Sequence, residues 1–131
     1  MIIDSSAVLA VLLAEPEAWA LTEALETAEI VLIAAPTRTE ALIAAHRRSG
    51  PDAVAAVRTL LDAAGAIDVP FDRRLAEAAY AVFTLYGKRN HPARLNFGDC
   101  FTYAVAKQTG EPILCVGNDF AQTDADLVTL V

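Results

Sequence analysis

Four acids stand where apolar, strand-like segments end or helix-like segments begin: Asp4, Glu40, Asp99 and Asp119. A carboxylate beside buried core is costly unless something compensates its charge. Brought together by the fold, the four would form an oxygen-rich pocket for hard divalent cations such as Mg²⁺ (or Mn²⁺), which take few carboxylates and keep positions for water and phosphate. Two such cations about 4 Å apart can hold an attacking hydroxide and the leaving oxygen of a phosphodiester. The chemistry indicated is metal-dependent phosphodiester hydrolysis. Asp4, Asp99 and Asp119 would anchor the metals, and Glu40 would bind one or orient the attacking water.

Each acid also has an ordinary explanation. Glu40 lies three residues after Thr37, the spacing of a capping box. Asp99 follows Gly98 at a helix start, where a carboxylate favours the dipole. Asp119 sits in Gly-Asn-Asp, a turn sequence, and Asp4 before Ser5-Ser6 has the makings of an N-cap. Capping, however, requires no shared edge of the molecule, whereas a metal site requires all four on one side. Support roles fall to Ser5 and Ser6, able to hydrogen-bond a ligating carboxylate or a phosphate, and to Asn96 and Asn118, able to orient the acids or contact ribose. Capping and turn formation explain the same residues equally well. Asp124, in Gln-Thr-Asp, is a candidate fifth acid.

The elements that must position these groups alternate along the chain. Residues 1–4 read as a short buried strand and Ala7–Ala14 as a helix; Pro16 opens a second helix through Trp19, Leu21 and Leu25. Residues 29–35 hold Ile-Val-Leu-Ile, apolar on successive positions as in a strand covered on both faces. Pro36 and Thr37 open a helix carrying Glu40, Gly50-Pro51 breaks it, and Asp52 starts another that ends near Gly65. Residues 66–69 form a third strand, Asp72 caps a helix over 73–86, and 88–96 is the only basic loop. A helix over 98–109, a strand over 112–116, a turn at 117–119 and an edge strand over 127–130 complete the order. This alternation predicts an α/β fold in one domain over 1–131, three layers α/β/α around a mostly parallel sheet of four to five strands. Ligands of such sheets gather beyond the carboxyl ends of the strands, where Asp4 and Asp119 would lie.

Composition sets the outer bounds. The 131 residues suit one sizeable core, and 55% apolar residues with a mean hydropathy of +0.39 exclude a disordered chain. No apolar run reaches the roughly 18 residues of a membrane span, and the Met-Ile-Ile-Asp start lacks a secretory basic region, so a cytoplasmic location is expected, with no membrane partner. Cys100 and Cys115 fall in apolar stretches without zinc-ligand spacing. The net charge of −7 argues against a protein that coats nucleic acid; without the four acids the balance is −3, so the sign of the active face depends on where the arginines lie. Lys88, Arg89, His91 and Arg94 crowd the loop before Asn96, so Lys88, Arg89 and Arg94 are candidate RNA-phosphate contacts or a merely solvated loop. His46 and His91 read as surface or structural residues. Trp19 and the Ala/Leu-rich first helices carry apolar surface beyond what a small sheet covers, suited to a second copy or a partner helix.

Asp4-Ser-Ser-Ala, Glu40 after the second strand, Asn96-Phe-Gly-Asp99-Cys and Gly117-Asn-Asp119-Phe resemble the PIN-domain ribonucleases, and within them the VapC toxins of type II toxin–antitoxin systems. The resemblance spans essentially the whole chain. It implies a Mg²⁺- or Mn²⁺-dependent endoribonuclease toxin whose metals are held by Asp4, Glu40, Asp99 and Asp119. It further implies a homodimer and a cognate VapB-like antitoxin whose tail blocks the acidic pocket, often with an arginine.

Rival readings fail on particular residues. A phosphotransfer receiver needs a lysine after a late strand, and none follows residues 112–116; a haloacid-dehalogenase-type phosphatase needs Asp at position 6, which is Ser6. A non-catalytic acidic module that receives a partner's basic tail stays open. Crowding makes one physical demand of the site: carboxylates about 4–5 Å apart repel by roughly 3–4 kcal/mol at an effective dielectric near 20. Asp4→Asn and Asp99→Asn are therefore expected to stabilise the metal-free protein.

Overall fold

The computed structural model describes all 131 residues. Its elements run β1 (Ile2–Ile3), α1 (Ser5–Leu12), α2 (Ala18–Thr27), β2 (Leu32–Ala34), α3 (Ala35–Ser49), α4 (Pro51–Ala63), β3 (Ile67–Val69), α5 (Arg73–Tyr86), α6 (Phe97–Thr109) and β4 (Ile113–Leu114), followed by a 3-10 turn at Phe120–Gln122. The four strands form one sheet in the order β3-β2-β1-β4, and every pairing is parallel.

Side chains alternate across this sheet with the two-residue period of a strand. Ile2, Ala34 and Ile113 face a core shared with α5 and α6, whereas Ile3, Ile33 and Leu114 face one shared with α1 to α4. The apolar runs therefore have no solvent face, and the sheet is the middle layer of three. α6 is buried nearly all round, from Cys100 to Ala106, because the sheet, α3 and α5 enclose it. α5 is amphipathic instead, burying Leu75, Ala79 and Val82 at helical spacing beneath an Asp72 cap that accepts from the Leu75 amide at 2.9 Å.

Three expectations are corrected. The strands are two or three residues long because helices begin at once: Asp4 caps α1, and α3 starts at Ala35 directly after β2. Residues 127–130 form no strand; only Leu127 bridges Ile113, so the sheet has four strands and no fifth. The Thr37–Glu40 capping box does not form, because α3 starts at Ala35 with Ala34 at the cap position, which puts Thr37 inside the first turn, buried and facing Thr102 at 3.4 Å. The expected boundaries of α5 hold to the residue.

Strand order places a topological switch beside β1. From β1 the chain moves outward through β2 to β3, then crosses on the other face, through α5 and α6, to β4 on the opposite side of β1. A crevice opens at the carboxyl ends of β1 and β4. α6 precedes β4 and so runs against the strands, starting at that same edge. α3 follows β2 and starts there too.

A candidate active site of four carboxylates

Asp4 ends β1 and is 2% exposed. Its Oδ2 accepts from the Ser6 amide at 3.1 Å and the Ser6 hydroxyl at 2.7 Å, and its Oδ1 accepts from Thr102 Oγ1 at 2.7 Å. Ser6 Oγ in turn accepts from the Val116 amide at 3.1 Å, tying the ends of β1 and β4 together. The Thr102 hydroxyl has one proton, and it goes to Asp4; in the 3.4 Å contact with Thr37, Thr37 is therefore the donor. A polar chain thus runs from α3 through α6 to the end of β1.

Glu40, on the second turn of α3, accepts from Ser5 Oγ at 2.5 Å. Its carboxylate lies so close to the backbone of α6 that a Cβ on Gly98 would stand well inside contact distance of it. Asp99 forms a capping box with Asn96: the Asp99 amide donates to Asn96 Oδ1 at 2.9 Å, and the Asn96 amide to Asp99 Oδ2 at 3.0 Å. Asp119 is exposed on the turn after β4 and makes no side-chain cap. Asn118 is exposed beside it.

Electrostatics joins the four. Burial pushes the Asp99 carboxyl up to about 7; the Asn96 amide opposes the rise, and Asp4, Asp119 and Glu40 add to it. The Cys115 thiol is raised to about 12, by burial first and then by Asp4, Asp99 and Asp119. The chain has three salt bridges, Met1–Glu111, Arg38–Asp68 and Lys107–Asp124, and none touches these four acids. Carboxylates without a cation are the kind of donor that hard divalent ions take, so the chemistry of the residues suits such an ion. As they stand, no three are grouped to hold one ion: the oxygens of Asp4, Glu40 and Asp99 are turned to the hydroxyls and amides just described, and Asp119 is exposed on its turn.

Asp124 stands apart from this group. It accepts from Tyr103 and, at 2.9 Å, from Lys107, which hold its carboxyl below the usual range, and it is not among the charges that act on Asp99. Lys88, Arg89 and Arg94 are exposed on a loop closed by the Lys88 amide to Leu95 carbonyl bond at 3.0 Å. Arg89 and Arg94 adopt φ of 73° and 53°, a left-handed conformation that costs a non-glycine residue roughly 1 kcal/mol. The loop is therefore shaped rather than slack. His91 helps shape it, accepting from the Ala93 amide at 3.0 Å and packing edge-on against Tyr86.

Two residues escaped the sequence reading. Thr102 reaches Asp4 from one helical turn beyond Asp99, a spacing readable in Asp-Cys-Phe-Thr once the helix is granted. Gly98 admits Glu40, and no local pattern signals that need.

A family profile described as PIN domain matches residues 1–126. Ribonuclease VapC36 of Mycobacterium tuberculosis is 42% identical over 127 residues, covering 96% of this chain and 91% of the relative. Among solved structures, Mycobacterium tuberculosis VapC20, a sarcin–ricin-loop-cleaving toxin, superposes with a TM-score of 0.79 at 16% identity, covering 97% of both chains. A toxin–antitoxin complex from Klebsiella pneumoniae contains a chain that superposes with a TM-score of 0.71 at 17% identity, covering 97% of this chain and 95% of that one. At such identities the two structures speak to the fold alone.

Two outcomes follow from the geometry. A carboxyl near 7 when folded, against an ordinary 3.8, binds a proton that the unfolded chain has already released. Metal-free stability should therefore fall as pH rises from about 4 to about 7. Asp99→Asn, whose amide oxygen can still accept from Asn96, should flatten that slope and raise the melting temperature at pH 7.5 by roughly 3–6 °C. Asp4→Asn should do the reverse of what sequence crowding suggested and lose about 1–3 kcal/mol, since a carboxamide cannot receive all three donors. Melts across pH with and without Mn²⁺ check both, and a pH-independent parent would refute the raised Asp99 carboxyl. Gly98→Ala should change stability by no more than about 1 kcal/mol, as a flexible Glu40 yields and helix propensity improves. It should also weaken Mn²⁺ binding by calorimetry as much as Glu40→Ala does, with no further loss in the double variant.

Proposed function

The chain belongs to the PIN-domain family, among its VapC ribonucleases, and on that premise we propose that it is a divalent-metal-dependent endoribonuclease acting as the toxin of a toxin–antitoxin pair, with residues 1–131 as the catalytic unit. The observation that carries this reading is the Asp99 carboxyl, raised by burial first and then by the charges of Asp4, Asp119 and Glu40, with no cation of the protein's own in contact. That arrangement is wasteful in a scaffold and useful around a bound ion.

Asp4, Asp99 and Asp119 would hold Mg²⁺ or Mn²⁺, with Glu40 completing the set. Such an ion, when bound, activates water and neutralises charge on the phosphate. The chain's own contribution is to fix the donors. Ser6 and Thr102 lock Asp4, the Asn96 capping box aims Asp99, and Ser5 holds Glu40 where it can accept a proton from an incoming water. Water, rather than a ribose hydroxyl, is the nucleophile, so the product carries a 5′-phosphate. Lys88, Arg89 and Arg94 present charge to phosphates flanking the cut. Trp19, 71% exposed on α2, and Tyr80 and Leu85 on α5 offer apolar surface that an antitoxin or a second copy would cover. The chain's place among the VapC relatives supports the antitoxin partner. No helix is long and apolar enough to cross a membrane.

Purified protein incubated with total RNA and Mn²⁺ should generate discrete 5′-phosphate ends, and Asp99→Asn or Asp119→Asn should reduce the rate at least 100-fold. Equal cleavage by parent and variants, or none by the parent, would leave the acids as a docking surface for a basic tail. Replacing Lys88, Arg89 and Arg94 with alanine should weaken RNA binding and lower the slope of log K against log salt by up to roughly 2, measured by anisotropy titration from 50 to 200 mM salt.

A further inference from the structure

Phe97 is the first residue of α6, two positions before Asp99, and is 78% exposed. Helix capping does not need it. The residue before the Asn96 cap, Leu95, and the fourth helical residue, Cys100, are both buried and supply the apolar contact that fixes the chain's entry into α6. Phe97 instead meets the buried Phe101 at 4.9 Å, edge to face, and Phe101 meets Phe71, itself 54% exposed, at 5.0 Å. Two exposed rings thus flank one buried ring.

These rings line a groove of about 500 Å³ whose walls also include Glu40, Gly98, Ile43 and the exposed Arg47. Anything lying in the groove touches an acid of the candidate site at one point and an arginine at another. A second groove shares Phe71, Phe97 and Phe101 but runs along α5 past Tyr80 and Phe83 without one charged side chain. The two differ in what they suit. A nucleotide has an apolar, stackable base and an anionic phosphate, and it fits the groove that pairs aromatic rings with a cation. The uncharged groove fits an apolar protein segment better.

We propose that the groove beside Glu40 receives an unpaired RNA base next to the scissile phosphate, with Phe97 as the stacking platform and Arg47 as a contact for the adjoining phosphate. The proposal rests on the ribonuclease reading and deepens it. Hydrolysis at the acids requires the backbone to be drawn down to Asp99, and single-stranded RNA is commonly held by splaying bases onto aromatic faces. Because the Asn96 capping box fixes the first turn of α6, Phe97 and Asp99 keep a constant offset. A base on the ring would therefore set which phosphodiester bond meets the acids. Phe97 is in this sense a positioning residue, and it would make the cleavage site depend on a stacked base.

The test uses the full chain and two readouts. In an Asp119→Asn background with Mg²⁺, single-stranded RNA carrying 2-aminopurine at successive positions should show quenching at one position near the cut. Phe97→Ala should weaken binding roughly 5- to 100-fold and abolish that quenching, Phe97→Leu should do the same, and Phe97→Trp should retain both. In the otherwise native protein, Phe97→Ala should raise KM with little change in kcat, whereas an abasic residue at the quenched position should slow the parent and not the variant. Since Phe97 is exposed, the alanine variant should melt like the parent. Unchanged binding, quenching and KM in Phe97→Ala would overturn the stacking role and leave the groove to a protein partner. A parent that quenches the probe through Phe97 but cuts no RNA would uphold the stacking and sink the nuclease reading alone.

Discussion

The burial of carboxylates at one edge of the sheet, with no cation in contact, is the constraint on which the arrangement around them depends. The protein has cations in reach of other acids, and it places them on Glu111, Asp68 and Asp124, away from this edge. What restrains Asp4, Glu40 and Asp99 instead is a set of neutral donors: two serine hydroxyls, a buried threonine and the amides at the starts of α1 and α6, while Asp119 stands exposed on its turn. Neutral donors orient a carboxylate without cancelling its charge. Helix N-termini help, since their partial positive charge favours an anion without occupying its coordination sites. The negative potential that remains is what a divalent ion would satisfy.

The fold delivers this arrangement economically. A parallel sheet aligns the carboxyl ends of its strands, and reversing direction beside β1 opens a crevice between β1 and β4. Asp4 and Asp119 arrive on the strand ends, Glu40 and Asp99 on helices that begin at the same edge. Short strands suit the purpose, because every residue added beyond Ile3 or Leu114 would carry the acids away from the helix starts. Burial on both faces supplies the rigidity that two-residue strands could not supply alone. At Gly98 the absence of a side chain lets α3 bring Glu40 against α6, so a missing atom positions a charge.

Around the acids the surface divides by chemistry. The loop over residues 88–96 holds its arginines outward while Ala93 and Leu95 anchor it to the core. On the other side of the α6 start, Phe97, Phe71 and Phe101 make an aromatic wall reaching to Glu40. The basic side chains, Phe97, Asp99 and Phe101 all lie in one continuous segment, residues 88–101, and Phe71 joins the wall from elsewhere in the chain. One stretch of sequence therefore carries charge, two of the three rings and the acid together.

Much of this was legible in the sequence, for reasons that are local. Alternating apolar runs and capped helices specify α/β layering; Asp72 and Gly87 bracket α5 because a cap and a stop act within a turn of the chain. The four acids stood out because carboxylates after apolar strands or at helix starts stand beside buried core, and Asn96 and Asp99 form their capping box because three residues separate them. What only the tertiary structure decided depends on atoms far apart in the chain. Thr37 left Glu40 for Thr102 on another helix, Asp124 turned to Tyr103 and Lys107, Leu127 gave a bridge where a strand was expected, and Asp4 gained a donor 98 positions away. Local propensity fixes which elements form, while the partner of a side chain is chosen by packing, and packing is settled only when all the elements are in place.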